Sequence, residues 1–322
     1  MRRIWILSAL ALILLSIAAP AAESATKVAI MLDWVPNTNH TGLFVALDKG
    51  YYKDSGLDVE IMEQSQALSI EQLVASGKVD FGISFQEWAT AAMAEGLPIV
   101  SVAAVIQHNT SAYAFLKKSG IKSPKDFQGK TFASWGLPLE KAMISDVVRS
   151  DGGDPSKLKE LVIGTADLLA MLGRDVDIAW IYMGWQGIEA KQRGIELSTV
   201  MLRDVPGIPD YYTPIIITSR KYLETNKATA RAFINATSRG YTYAAANPVE
   251  SANILIKRSP EINQKLAMES QAWLSPRYIE DASKWGIQKQ STWRSLYEWM
   301  CGHDLAKTGQ DPDKFFTNEL LP

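Results

Sequence analysis

Three stretches of the chain gather side chains that could recognise a small molecule. Asp33-Trp34-Val35-Pro36-Asn37-Thr38-Asn39-His40 carries a carboxylate, an indole, two amides and an imidazole. Ser84 to Trp88 adds Gln86 and Glu87, and Ser134 to Glu140 adds Trp135, Gly136 and Glu140. Indole faces offer area and dispersion to a flat ring, while amides and carboxylates read its edge with donors and acceptors. None of the three stretches contains an arginine. An anion would call for arginine or hydroxyls beside helix N-terminal amides, so this residue set points to a neutral or weakly basic ring.

Each candidate competes with an ordinary structural role. A tryptophan in an α/β chain more often fills the core, but Trp34 and Trp135 each stand in a loop directly after a strand and are read as ligand contacts. Trp180, Tyr182 and Trp185 fall on a strand and its exit, where alternation could bury some of them beneath a sheet. Trp88, Trp273, Trp285, Trp293 and Trp299 lie in expected helices and are read as packing. Of Asn37 and Asn39, one is expected to cap the following helix and the other to reach the ligand. Glu140 falls in the first turn of an expected helix, where the dipole favours an acid in any case. Tyr212, at the end of a long connection, completes the candidate set. His40, His108 and His303 show no ligand spacing for a metal, and no nucleophile with its base is evident, so neither metal, cofactor nor catalytic residue is expected.

The elements that must position these loops follow from periodicity. Lys27 to Leu32 reads as a buried strand, 41–49 as a helix stopped by Gly50, and Leu57 to Ile61 as an alternating strand. A helix at 69–76 and a strand at 79–83 follow, and a Pro- and Gly-bearing turn at 123–130 opens a second unit with strands at 131–134, 161–163 and 176–180. The chain leaves that unit at 206–212 and re-enters strand at 214–218. Helices are expected at 227–246, 248–257 and 282–307. This alternation predicts an α/β protein of two lobes, each a mainly parallel sheet flanked by helices. The first lobe is read as 22–114 plus 213–322 and the second as 115–212, with crossings near 110–118 and 210–218. In such sheets ligands bind beyond the carboxyl ends of the strands, where all three candidate loops fall.

Arg2 and Arg3 precede an apolar run from Ile4 to Ala19, and the small residues Ala18-Ala19-Pro20-Ala21-Ala22 follow, which reads as a secretory signal peptide over 1–21. The single cysteine, Cys301, excludes an internal disulfide and does not stand where a lipid anchor would; it is read as structural. The chain has 33 basic residues, two of them in the leader, against 35 acidic ones, so nucleic acid is not an expected partner. A periplasmic monomer is expected.

Several segments carry a family resemblance. Leu32 to Gly42, Lys49-Gly50-Tyr51-Tyr52 and Gly56-Leu57-Asp58-Val59 resemble the opening of the thiamine-pyrimidine-binding periplasmic proteins. Ser76 to Ile83, Ala133 to Lys141 and Ala179 to Trp185 agree with it in the same order. The wider superfamily includes sulfonate and nitrate binders and the yeast enzyme that makes the thiamine pyrimidine. The resemblance implies a type II periplasmic binding fold, a small heteroaromatic ligand such as formylaminopyrimidine, and delivery to an inner-membrane ABC permease. It implies that Trp34 stacks against Trp135 or Tyr182 across the ligand, while Asn39 and Glu140 read its edge. His40 matches the family's site histidine. The synthase pattern, with its cysteine cluster and reactive lysine, is absent: one cysteine occurs in all, and no lysine lies between Asp33 and His40.

Overall fold

A computed structural model of the chain describes residues 25–64, 69–164 and 166–322. The expected signal peptide lies outside them. Ten strands form two five-stranded sheets, β1 (Thr26–Met31), β2 (Leu57–Met62), β3 (Phe81–Ser84), β4 (Ile99–Ala104), β5 (Ser111–Leu116), β6 (Thr131–Ser134), β7 (Lys159–Val162), β8 (Ile178–Tyr182), β9 (Leu197–Met201) and β10 (Ile215–Ser219). The first sheet runs β2-β1-β3-β10-β4 and the second β7-β6-β8-β5-β9.

Both sheets follow one plan. In the first, β1 pairs parallel with β2 and β3, and β10 lies antiparallel between β3 and β4. In the second, β6 pairs parallel with β7 and β8, and β5 lies antiparallel between β8 and β9. The antiparallel strand is in each case the one that follows a passage between sheets. The sheets are therefore mixed in pairing, although four strands of each share a direction.

The passages themselves begin earlier than the sequence suggests. Residues 111–116 and 215–219 are sheet strands, which leaves 105–110 and 202–214 as the connections. The expected helix at 282–307 is also corrected: only Gln290–Gly302 is helical. Gly286 has φ +86° and bridges Ala104, and Trp285 is buried and stacks on Tyr241, so the preceding residues run along the edge of the first sheet instead of coiling.

Two contacts position the elements that carry the candidate loops. The helix Lys227–Ala246 meets the helix Thr41–Asp48 at Gly240 and Gly42, so closely that a Cβ on Gly240 would lie 2.0 Å from the Gly42 carbonyl oxygen. That approach lets the buried Tyr241 hydroxyl donate to the Asn39 carbonyl at 2.7 Å, pinning the end of the first loop. The C-terminal helix Gln290–Gly302 joins both lobes. Trp293 and Tyr297 pack with Ile70, Val74 and Ile217 of the first, whereas Leu296 and Met300 pack with Met143, Val147 and Phe132 of the second. Its Trp299 donates from Nε1 to Asp146 at 2.9 Å, on the second-lobe helix Pro138–Ser150.

At the passages, His108 stands between Asp210, which its Nδ1 meets, and Asp281, 3.1 Å from Nε2. Asp210 also accepts from the Asn109 backbone N–H at 2.8 Å. One imidazole thus ties both connections to the C-terminal segment. Burial depresses its basicity, but the hydrogen bonds of Asp210 and Asp281 and the charges of Asp210 and Glu280 outweigh it and raise the pKa above 6.5. A raised basic pKa stabilises the fold fully below the ordinary value of 6.5, and the gain is lost as pH rises through the folded value. His108→Asn should therefore lower the melting temperature at pH 6 and have little effect near pH 9. Melting curves of both proteins across that range test this; a deficit that is constant with pH would refute the charge contribution.

Candidate functional site

The strand ends at the junction of the two sheets bring several candidates together. After β1, the loop is locked by its own polar groups. Asn37, in extended conformation, accepts from the Asn39 backbone N–H at 2.9 Å and donates from Nδ2 to the Val35 carbonyl at 2.9 Å. The Asn37 backbone N–H donates to His40 Nδ1 at 3.2 Å, which leaves the proton on Nε2 to reach Asp33 Oδ1 at 2.6 Å. His40 is fully buried and both its ring nitrogens are engaged. Asn37 and His40 therefore build the loop and do not present free groups to a ligand. The side chains that project from it are Trp34 and Val35, 49% and 50% exposed. Asn39 is half-buried, and its side chain makes no hydrogen bond among the described residues.

After β3, Gln86 opens the helix Gln86–Ala94 and clasps the second connection. Its Oε1 accepts from the Tyr212 backbone N–H at 2.7 Å, and its own N–H donates to the Tyr212 carbonyl at 3.3 Å. Its amide nitrogen, Glu87 Oε2 and Thr90 Oγ1 are buried without a partner among the described residues. Burial pushes the Glu87 carboxyl up to about 8, its own backbone N–H opposes this in part, and the Glu71 charge adds to it.

After β6, one carboxylate organises the whole turn. Glu140 Oε2 accepts from Ser134 Oγ at 3.1 Å and from the backbone N–H groups of Trp135 and Leu137 at 2.9 and 3.1 Å. Gly136, at φ +81°, supplies the left-handed turn, and its N–H donates to Ser134 Oγ. Oε1 of the same carboxylate is buried and unpartnered. Burial raises the Glu140 pKa against the pull of those donors. Trp135, held by its backbone, leaves its ring 43% exposed.

After β8, Tyr182 marks where these groups converge. Its ring lies 6.4 Å from that of Phe85, at 23° between planes, with Phe85 coming from the first sheet's β3 exit. Burial raises its hydroxyl pKa, and the charges of Glu87, Asp33 and Glu140 raise it further, so acids of both lobes act on one hydroxyl. Tyr211 is raised in the same way by burial, then by Glu87 and Tyr182, and Tyr113 by burial and Glu140. The Tyr113 hydroxyl and Ser111 Oγ are buried and unpartnered, as is Nε1 of Trp180, whose ring meets Tyr113 edge-on at 5.6 Å.

The structure thus assembles Asp33, Gln86, Glu87, Glu140 and Tyr182, with Trp34 and Trp135 on the loops above. It sets other candidates elsewhere. The Trp180 ring fills the second lobe's core, and Tyr212 fills the first lobe's, where its hydroxyl accepts from the Lys289 backbone N–H. Trp185 packs on the first lobe's core across the lobe junction, beside Gly184, whose carbonyl accepts from Ser270. Trp88, read as packing, is 45% exposed. Phe85, Thr90, Tyr113 and Tyr211 join the site unforeseen. Of these, Phe85 had a signal, as it directly precedes Gln86-Glu87 at a strand exit, while Tyr113 is hidden inside the apolar strand β5.

Two α/β lobes joined by two connections, with buried polar groups of both turned toward the junction at their strand ends, define the architecture of a two-lobed solute-binding protein. Residues 37–251 match the family described as NMT1/THI5 like, and the chain belongs to that family. A formylaminopyrimidine-binding protein of Halalkalibacterium halodurans is 30% identical over 288 residues, covering 88% of this chain and 87% of the relative. A 4-amino-5-hydroxymethyl-2-methylpyrimidine phosphate synthase of Saccharomyces cerevisiae is 28% identical over 309 residues, covering 92% and 88%. Among solved structures, the periplasmic aliphatic sulphonate binding protein of Escherichia coli superposes with a TM-score of 0.69 at 13% identity, covering 90% of this chain and 91% of its own, a likeness of fold.

An acid whose folded pKa is raised stabilises the fold below its ordinary value and loses that contribution as pH rises through the folded value. For Glu87 that window runs from 4.5 to about 8. Glu87→Gln should therefore make the unliganded protein more stable than wild type at pH 8, by on the order of a few kcal/mol, and equal to it near pH 4.5. Denaturant unfolding at both pH values checks this; a variant that is less stable at pH 8 would show that the carboxylate is held by partners.

Proposed function

We propose that the protein is the exported receptor of an ABC importer, which captures a precursor of the thiamine pyrimidine, such as formylaminopyrimidine, between its lobes and hands it to a membrane permease. The observation that carries this reading is the pair of buried carboxyls, Glu87 and Glu140, one from each lobe, each with an unspent oxygen and both acting on Tyr182. No lysine or arginine is among the groups acting most strongly on Glu87, Glu140, Tyr113, Tyr182 or Tyr211. Such a site favours a ring that bears amine donors and repels sulfonate or nitrate, because a buried acid beside an anion leaves both uncompensated.

The arrangement supports binding without chemistry. His40, which matches the family's site histidine, spends both nitrogens on Asn37 and Asp33, and the chain has one cysteine and no lysine between Asp33 and His40. In this reading the leader at 1–21 directs the chain to the periplasm, where it acts as a monomer. In the same reading the lobes part at the two connections, 105–110 and 202–214, so the expected limit at 114/115 moves back ahead of β5 while that at 212/213 stays within the second connection. Closure follows from a ligand that touches both lobes and so prefers the closed state.

Isothermal titration with formylaminopyrimidine should give saturable binding, and small-angle scattering should show a smaller radius of gyration on saturation. An alkanesulfonate should give neither. Trp135→Ala should weaken binding by roughly 1–3 kcal/mol, the value of a lost aromatic face. Tight binding of the alkanesulfonate, with none of the pyrimidine, would overturn the proposal.

A further inference from the structure

We infer that Glu87 selects the ligand by its ring nitrogen, meeting it as a neutral carboxyl whose proton the two share, while Glu140 of the opposite lobe accepts from the neighbouring amine. This rests on the functional reading above and specifies how that site tells its ligand from a ring of the same shape.

The argument starts from what surrounds Glu87. It is 4% exposed in the first turn of the helix Gln86–Ala94, and Oε2 has no partner among the described residues. Glu71 faces it from the helix Ile70–Ala75, Tyr182 from β8 and Tyr211 from the second connection. None of these is a cation. A charge on Glu87 would be buried with an unmet oxygen and another acid nearby, so the neutral form is the one this region favours. Glu71 receives the Ser84 hydroxyl; Glu87 Oε2 receives nothing. The raised pKa of Glu87 agrees with that assignment and leaves the group protonated at neutral pH.

A neutral carboxyl is a donor where a carboxylate is only an acceptor. A ring nitrogen beside an amine is an acceptor next to a donor. Oε2–H of Glu87 supplies the first match and the free Oε1 of Glu140 supplies the second. A hydrogen bond across the Glu87 contact holds one proton whichever atom it sits on, so the acid and ring together stay neutral and no other reactant is needed. A ring with carbon in place of that nitrogen would leave the O–H buried and unpaired, a loss that shape alone does not produce.

The consequence is a proton requirement. Below pH 8 the unliganded protein already carries the proton; above it, binding must take one from solvent, and affinity should fall by about tenfold per pH unit. Titration calorimetry with formylaminopyrimidine from pH 7 to 9.5, in two buffers of different ionisation enthalpy, measures both the slope and the proton uptake. Wild type should bind evenly up to about pH 8 and then weaken, with uptake approaching one proton per site. Glu87→Gln keeps an N–H donor but no shared proton, and should bind more weakly than wild type at pH 7 with no slope up to pH 9.5. Glu140→Gln should bind more weakly throughout but retain the slope. A wild-type affinity that is flat to pH 9.5, or a slope that survives in Glu87→Gln, overturns the inference and leaves the proposed ligand intact. Folded protein that binds no formylaminopyrimidine at any pH overturns both.

Discussion

A polar atom buried away from water needs a hydrogen-bond partner, and Glu87 and Glu140 each bury a carboxyl oxygen that has none within the described protein. Everything around the lobe junction is consistent with that single constraint. Three nearby donors are committed elsewhere, the Ser134 hydroxyl to Oε2 of Glu140, the Ser84 hydroxyl to Glu71 and the His40 imidazole to Asp33, while the Gln86 amide and the hydroxyls of Thr90, Tyr113 and Tyr211 are buried without a partner among the described residues. The surrounding tyrosines then sit in a field of acids with burial and charge acting in the same direction. A site of this kind holds unmet hydrogen-bonding capacity in a fixed place, which is what the proposed amine-bearing ring would meet.

Fixing the place falls to the backbone of the loops. Asn37 and His40 close the first loop on itself, the Glu140 carboxylate gathers the turn after β6, and Gln86 clasps the second connection through both of its hydrogen bonds to Tyr212. These residues were natural candidates for ligand contact because their side chains carry donors and acceptors. Asn37 and His40 spend their groups in this way, while Gln86 keeps its amide nitrogen and Glu140 one oxygen free, and the loops that carry the indoles of Trp34 and Trp135 are ordered in advance of any contact.

The sequence made the strand exits visible because buried strands followed by polar, Gly- and Pro-bearing loops are a local pattern. Glu140 at the first turn of its helix and Gln86-Glu87 after β3 could be found that way. What could not be found is set by distance along the chain. The antiparallel entry of β5 depends on partners more than 60 residues away, so this strand merged with the connection, and β10, legible as a strand at 214–218, did not show its antiparallel direction. The same holds for Trp185 and Tyr212: local spacing shows an aromatic near a strand end, but only the docking of the other lobe decides that it packs against a core. Trp88 erred in the opposite direction, since a helical tryptophan is assumed to face inward and here the inward face is taken by Ala89, Thr90 and Met93.

The helix Gln290–Gly302 changes how motion between the lobes must be pictured. Two connections alone would let one lobe bend and twist on the other. A rigid bar seated in both cores, with Trp299 bonded to Asp146, adds a third point of attachment away from that pair of strands. A third attachment stiffens the rotation that two connections leave free, so any movement of one lobe against the other must bend or unseat this helix. That resistance is set by the packing of Leu296 and Met300 against the second lobe, so a smaller side chain at either position would loosen one lobe from the other without touching the strand-end loops.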